Sequence, residues 1–186
     1  MRNPYITGPY VLGRRHYGRS DLLDRLLHGE SHAYWIIGNR RIGKTSLLRQ
    51  LETLVLTDER LLLVFWDMQG CNSIERLGCY LADAIQERLD ELLTLGLSVV
   101  AVSTRTIYQM REVCRSWPTS PFLAGFDLSQ MLGSLDAAIA LALVVQAQAD
   151  EQVQVEPDVS AAVCDLSNCH PFLLQLLCAP LRSQSR

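Results

Sequence analysis

The chain has 186 residues, of which 48% are apolar and 20% are charged. This composition excludes an intrinsically disordered chain, and the length fits one domain or one domain with a small helical addition. The formal net charge of -3 argues against nucleic acid as an obligate partner.

The charge is unevenly distributed along the sequence. Residues 1–60 carry ten basic and six acidic side chains, whereas the remainder carries seven basic and fourteen acidic ones. A basic N-terminal part suits a phosphate ligand and equally an acidic partner, so charge alone leaves a protein partner or self-association open.

The six cysteines form no CxxC pair and match no zinc-binding spacing, which predicts buried thiols in a reducing cytoplasm. Residues 1–10 lack the apolar centre of a signal peptide, and the longest apolar runs are too short to span a bilayer. We therefore expect a cytoplasmic protein without a membrane partner.

The first part of the chain predicts alternating helices and strands. The predicted elements are a helix capped by Ser20, a strand over 33–37, a helix over 45–55, a strand over 61–66, a helix over 73–95 and a strand over 97–102. Apolar runs without alternation, such as 61–66, are typical of strands covered on both faces. The pattern predicts an α/β fold with a parallel sheet over residues 1–116.

The pattern changes after about residue 116. A proline-containing loop over 117–126 is followed by predicted helices from a Ser134 cap to about residue 148, over 158–166 and over 171–181. Residues 117–186 are therefore predicted to form a small helical subdomain.

The motif that indicates a function is GNRRIGKT over residues 38–45, which fits the phosphate-loop pattern GxxxxGK[ST]. It follows a predicted strand and opens a predicted helix, whose N–H groups and dipole favour an anion. Gly38 and Gly43 permit unusual dihedral angles and keep side chains away from a phosphate.

The motif assigns individual roles within this loop. Lys44, the only lysine in the chain, is predicted to reach the β- and γ-phosphates of ATP as a catalytic residue, and the Thr45 hydroxyl is predicted to bind Mg²⁺. The choice between ATP and GTP stays open. The predicted nucleotide-binding residues of this segment are Gly38, Asn39, Arg40, Arg41, Ile42, Gly43, Lys44, Thr45 and Ser46.

Four segments together carry a family resemblance: YGRSDLL over 17–23, GNRRIGKTSLL over 38–48, SPF over 120–122 and HPFLLQ over 170–175. They resemble the STAND-type signal-transduction ATPases, AAA-like relatives of the AAA+ group, over roughly residues 5–181. The resemblance implies a P-loop NTPase-like fold with a helical lid. It also implies that Gly18 and Arg19 lie near the adenine and that His170 and Pro171 close over the nucleotide.

The chain departs from that family in two places. The family carries a Walker B strand ending in Asp-Glu, and no such strand is present here; Asp67, which follows the run 61–66, is the candidate substitute for magnesium binding and catalysis. The family has a glycine pair before the His-Pro motif, where this chain has Asn168 and Cys169. The resemblance also implies a polar γ-phosphate sensor after the strand 97–102, where the candidates are Ser103, Thr104 and Arg105; the alternative is a plain turn at the end of the strand.

These features favour an ATP-binding switch module with weak or absent hydrolysis. The alternatives are an active ATPase that uses Asp67, a small-molecule kinase whose arginine lid includes Arg105, Arg111 and Arg115, and a non-catalytic module in which the loop is a relic.

Overall fold

The computed structural model describes residues 3–29, 31, 33–57, 76, 79–80, 83, 99–104, 109, 128–148 and 152–180. The described part contains a three-stranded sheet made of β1 (Ala33–Gly38), β2 (Val99–Ser103) and β3 (Leu128–Leu132). Both pairs of neighbouring strands are parallel, and the order is β2-β1-β3. The prediction of an α/β class with a parallel sheet is therefore confirmed.

Strand β1 lies between the other two strands, and five of its six residues are buried. This explains the apolar run in its sequence, because a central strand is covered on both faces. Ile37 pairs with Ser103 and Gly38 pairs with Leu132, so the carboxyl ends of all three strands lie at the same edge.

Strand β3 was not predicted, and it lies inside the segment 117–186 that was expected to be helical. Its five residues include Ser129 and Gln130 and are too few to show a clear alternation. Pairing with β1 decides its conformation, and this is information that the local sequence does not contain. The predicted strand 61–66 and loop 117–126 lie outside the described residues.

Five α-helices are described: α1 (Ser20–His28), α2 (Lys44–Val55), α3 (Ala137–Val144), α4 (Pro157–Ser167) and α5 (Pro171–Cys178). Two predicted caps are wrong. Ser20 is the first residue of α1, and the N-cap is Arg19 in a left-handed conformation. Helix α3 begins after Asp136 instead of Ser134, because residues 133–136 lead the chain out of β3.

Contacts divide the chain into two compact units, residues 1–51 with 98–186, and residues 52–97. The first unit contains the sheet and the helices α3, α4 and α5, and its main core is formed by residues of these helices together with the N-terminal Tyr5 and Tyr17. The second unit contains the last turn of α2, while the predicted helix 73–95 lies almost wholly outside the described residues. The boundary at residue 116 stays a prediction.

Two expectations about individual features can be compared with the structure. Cys164 and Cys178 are buried free thiols as predicted, but Cys79 is exposed, and Cys71 and Cys114 are not described. Over the described ranges, no helix is long and apolar enough to cross a bilayer.

Candidate functional site

The loop of residues 39–43 joins the central strand β1 to helix α2 at the carboxyl edge of the sheet. A Cβ atom on Gly38 would lie 2.7 Å from Ile42 Cγ2 and 3.0 Å from the Leu132 carbonyl oxygen, so only glycine lets the loop fold back over β3. Gly43 has a φ of 101°, and no atom lies within 4 Å of a Cβ built on it. Glycine is therefore required there for the backbone conformation, and the space beside it is open.

The loop is anchored by a turn and by one buried side chain. The Ile42 N–H donates to the Asn39 carbonyl at 3.4 Å, and the Ile42 side chain is only 4% exposed. Leu47 makes the first backbone hydrogen bond of α2, to Gly43 at 2.9 Å. Within the described part, the N–H groups of Lys44, Thr45 and Ser46 have no partner, as expected at a helix N-terminus that can receive an anion.

Lys44 extends its ammonium group back across the loop. Nζ donates to the carbonyl of Gly38 at 2.7 Å and to that of Asn39 at 2.8 Å. Burial lowers the pKa of this ammonium below its usual value. Because an ammonium has three donors, one N–H is left for a ligand oxygen while the two carbonyls hold the charge beside the open Gly43.

The two hydroxyl groups that follow Lys44 differ in environment. Thr45 is exposed, which leaves its side chain accessible to a ligand or an ion. Ser46 is 8% exposed, and its Oγ accepts a hydrogen bond from the Val11 N–H at 3.1 Å. The structure therefore leaves Thr45 exposed and engages Ser46 with the N-terminal segment, and the role of Thr45 in Mg²⁺ binding stays a prediction.

The corner between α4 and α5 forms a second wall of the candidate site, the first being the loop of residues 39–43. Asn168 and Cys169 have φ values of 47° and 53°, and their N–H groups donate to Asp165 and Cys164 at 3.1 Å each. This is the Schellman pattern of a helix C-terminus, in which an αL residue redirects the chain. Asn168 and Cys169 thus adopt the left-handed conformation at the place where the resembled family has glycines.

His170 follows this corner as the N-cap of α5, which begins at Pro171. Its Nδ1 atom is buried and has no hydrogen-bond partner in the described structure. Burial lowers the pKa of His170, although backbone groups of His170 and Arg40 act in the opposite direction. His170 lines the same cleft as Asn39 and Ile42 of the loop, so it lies close to the GNRRIGKT segment.

A cleft of about 460 Å³ lies between the loop, the end of β3 and the α4–α5 corner. Its lining is apolar toward β3 and α5 and polar toward the loop and the corner. The residues that line it are Asn39, Ile42, Met131, Leu132, Gly133, Ser134, Ser167, Asn168, His170 and Leu173.

Arg41 connects the two walls of this cleft. Its guanidinium carbon lies 4.3 Å from the centroid of the Phe172 ring, which is the geometry of a cation–π contact. Arg41 itself has a φ of 64°, so the loop backbone is in a left-handed conformation where it makes this contact. The sequence contained Phe172 in its HPF segment but gave it no role.

Gly18 and Arg19 lie beside the cleft without lining it. The Arg19 guanidinium donates to the carbonyl of Gly133, a lining residue. A Cβ atom on Gly18, whose φ is 72°, would lie 3.2 Å from Ile139 and 3.3 Å from Leu135. This segment therefore packs against the start of α3, and the expected position of Gly18 and Arg19 near an adenine stays a prediction.

Sequence analysis missed the whole β3 side of the cleft, residues 131–134. The turn-forming pair Gly133 and Ser134 was the only local signal for it. The predicted residues Asp67 and Arg105 lie outside the described residues, as do Arg111 and Arg115. No group of three His, Cys, Asp or Glu residues suited to a metal ion occurs in the ranges that the structure describes.

Comparison of the chain with protein-family models, curated proteins and solved structures gave no match. A functional assignment therefore depends on the loop, the cleft and the chemistry of their side chains.

Proposed function

We propose that this chain binds ATP with Mg²⁺ through residues 38–45 and acts as a nucleotide-dependent switch with weak or absent hydrolysis. The observation that carries the proposal is the position of Lys44 at the start of α2, with its ammonium held over an open glycine loop at the carboxyl edge of a parallel sheet. Ligands of open α/β sheets bind at this edge.

The loop supplies the contacts that a polyphosphate needs. The partnerless N–H groups at the start of α2 would face the phosphates, and the third N–H of the Lys44 ammonium is available to a β- or γ-phosphate oxygen. The exposed Thr45 hydroxyl suits an Mg²⁺ ion that bridges these phosphates, and Asp67 is the candidate second protein ligand. When bound, this ion would neutralise charge on the phosphates.

The adjoining cleft favours a nucleotide over inorganic phosphate. Its volume of about 460 Å³ lies within the range of small-molecule sites. Met131 and Leu173 offer exposed apolar surface for a base, and Asn39 and Asn168 offer amide groups for its polar edge or the ribose. These residues belong to the loop, β3 and the α4–α5 corner, so one ligand would contact all three.

A switch is favoured over an efficient ATPase for two reasons. The ligand would touch both the loop and the corner, so its phosphates can bias their relative position. The sequence has no strand that ends in the Asp-Glu pair with which related ATPases orient the attacking water. The resemblance to STAND-type ATPases supports the same choice.

The decisive test is thermal unfolding with and without Mg-ATP for the wild type and Lys44→Ala. Ligand at 100 to 1,000 times its dissociation constant should stabilise the wild type by about 2.7–4 kcal/mol. Removal of the ammonium should weaken binding by about 10- to 100-fold, since a charged hydrogen bond contributes about 1.5–3 kcal/mol. Arg25→Ala on the exposed side of α1 removes one positive charge away from the loop and should bind normally.

The same protein samples separate the alternatives. A wild type that is stabilised by none of Mg-ATP, Mg-GTP and Mg-ADP would disprove nucleotide binding and leave the loop a relic. Phosphate release that both Lys44→Ala and Asp67→Asn abolish would replace the switch by the active ATPase. Turnover only in the presence of a phosphate acceptor would indicate a kinase.

A further inference from the structure

Residues 3–13, here called the N-terminal strap, are fastened at one end to the C-terminal helices. The Ile6 N–H donates to Gln175 Oε1 at 2.8 Å, and Asn3 Nδ2 donates to the Ala179 carbonyl at 3.0 Å. The Tyr5 hydroxyl donates to the Val144 carbonyl at 2.6 Å in the buried core. One end of the strap is therefore part of the core around α3 and α5.

The other end of the strap is fastened to α2. The Val11 N–H donates to Ser46 Oγ at 3.1 Å, and the Gly13 N–H donates to Gln50 Oε1 at 2.7 Å. Ser46 and Gln50 are four residues apart and lie on the same face of α2. Gln175 and the C-cap Ala179 are likewise four residues apart at the other end, so each helix offers two acceptors in successive turns.

Burial strengthens three of these hydrogen bonds, those that Tyr5, Ile6 and Val11 donate, whereas the bonds of Asn3 to Ala179 and of Gly13 to Gln50 are exposed to solvent. Tyr5 is 4% exposed, Gln175 is 5% exposed and Ser46 is 8% exposed. Hydrogen bonds that are shielded from water are electrostatically stronger, and a broken one leaves a buried polar group without a partner. The strap is thus held at both ends by contacts that are costly to release.

The two helices that the strap joins both begin at the candidate cleft. Helix α2 begins at Lys44, next to the lining residues Asn39 and Ile42, and α5 begins at Pro171, next to the lining residue His170. A change in the distance between the loop and the corner requires α2 and α5 to move relative to each other. The strap is hydrogen-bonded to both of these helices.

We propose that the N-terminal strap sets the width of the cleft, with Gln50 and Gln175 as positioning residues at its two ends. The effect on a ligand rests on the proposed nucleotide function, whereas the mechanical link between α2 and α5 does not. A link held at two ends is lost when either end is released. The two positions should therefore behave as one unit, although they lie on different helices.

Amide hydrogen exchange on the ligand-free chain tests the link directly. Gln50→Leu should raise the exchange of the Ile6 amide at the far end by about 5-fold, the ratio that corresponds to one hydrogen bond, in addition to that of Gly13. Gln175→Leu should likewise raise exchange at Val11 and Gly13. Gln152→Leu, an exposed position without a strap contact, is the matched control. Changes confined to the substituted end would overturn the proposal.

Affinity for Mg-ATP tests the consequence for the cleft. Each single substitution should weaken binding by about 5-fold or more. The double variant should bind as the weaker single variant does, and its loss of unfolding free energy should be smaller than the sum of the two single losses, because the two ends act as one unit. If the affinity loss of the double variant equals the product of the two single losses, the two ends act independently and the proposed link is contradicted. A wild type that does not bind Mg-ATP would disprove the nucleotide function, and the exchange result would still decide the role of the strap.

Discussion

The two walls of the cleft reach left-handed backbone conformations with different residues. In the loop, glycine occupies the open position, with Gly43 at a φ of 101°, whereas the corner uses Asn168 and Cys169 at 47° and 53°. Glycine adopts such angles without a steric cost, but other residues pay about 1–2 kcal/mol. Gly43 is therefore relaxed and has open space beside it, while Arg41 in the loop, at a φ of 64°, and the two corner residues carry strain.

The walls also differ in what they offer a ligand. The loop presents an ammonium and helix N–H groups, and the corner presents Leu173 and a histidine whose pKa burial lowers. This division suits a ligand with an anionic part and an apolar part. The following substitutions test how strongly the stability of each wall depends on its backbone conformation and on its side-chain contacts.

Of these substitutions, Gly38→Ala in the loop wall should lower the free energy of unfolding the most. The added methyl group would lie 2.7 Å from Ile42 Cγ2 and 3.0 Å from the carbonyl oxygen of the paired Leu132. Overpacking of this kind costs about 1–3 kcal/mol of unfolding free energy, measurable by urea denaturation. Gly133→Ala in the same cleft meets no atom within 4 Å and should be near neutral. Equal effects of the two changes would show that the loop does not depend on close packing.

Cys169→Gly should have the next largest effect, on the corner wall. Glycine removes the strain of a φ of 53°, so Cys169→Gly should be more stable than Cys169→Ala by about 1 kcal/mol. Both variants lack the thiol, and their difference therefore isolates the backbone contribution. If the Cys169→Ala variant is as stable as the Cys169→Gly variant, the backbone at residue 169 is not strained.

The contact between Arg41 and Phe172, which joins the two walls, should contribute less to the free energy of unfolding. A double-mutant cycle with Arg41→Ala and Phe172→Leu should give a coupling energy of about 0.5–1 kcal/mol in unfolding free energy, since Arg41 lies 4.3 Å from the Phe172 ring centroid. Leucine keeps apolar bulk and removes the ring. Additive effects of the two changes would exclude a stabilising stacking contact.

The smallest expected effect is a pH dependence. Burial lowers the pKa of His170 below its ordinary value of 6.5, and burial together with Arg19 lowers that of His16. As pH falls through about 6.5, the unfolded chain takes up these protons before the folded chain does. The free energy of unfolding should therefore decrease below pH 6.5 and level off below the lowered pKa values.

Replacing both of these partly buried histidines checks this sign. The variant His16→Gln with His170→Gln should show a shallower decrease between pH 7 and 5 in thermal unfolding. His28→Gln, at the exposed end of α1, provides the background for losing a histidine. If the double variant loses stability between pH 7 and 5 as steeply as the wild type does, the pH dependence belongs to other groups.

The sequence by itself determined the features that have a local physical cause. The apolar run of β1, the glycines and lysine of residues 38–45 and the helical pattern after Lys44 each follow from side-chain chemistry within a few residues. For this reason the strand–loop–helix unit and the α/β class were predictable. The His-Pro start of α5 was also visible, because proline fits the first turn of a helix.

Only the tertiary structure decided what faces this loop. Strand β3 exists because Leu128–Leu132 pairs with β1, and its five residues show no period of their own. The cleft brings together residues 39–42, 131–134 and 167–173, and the strap joins α2 to α5 through residues more than 30 positions apart. Such contacts depend on packing between distant segments, and neither periodicity nor motif spacing encodes them.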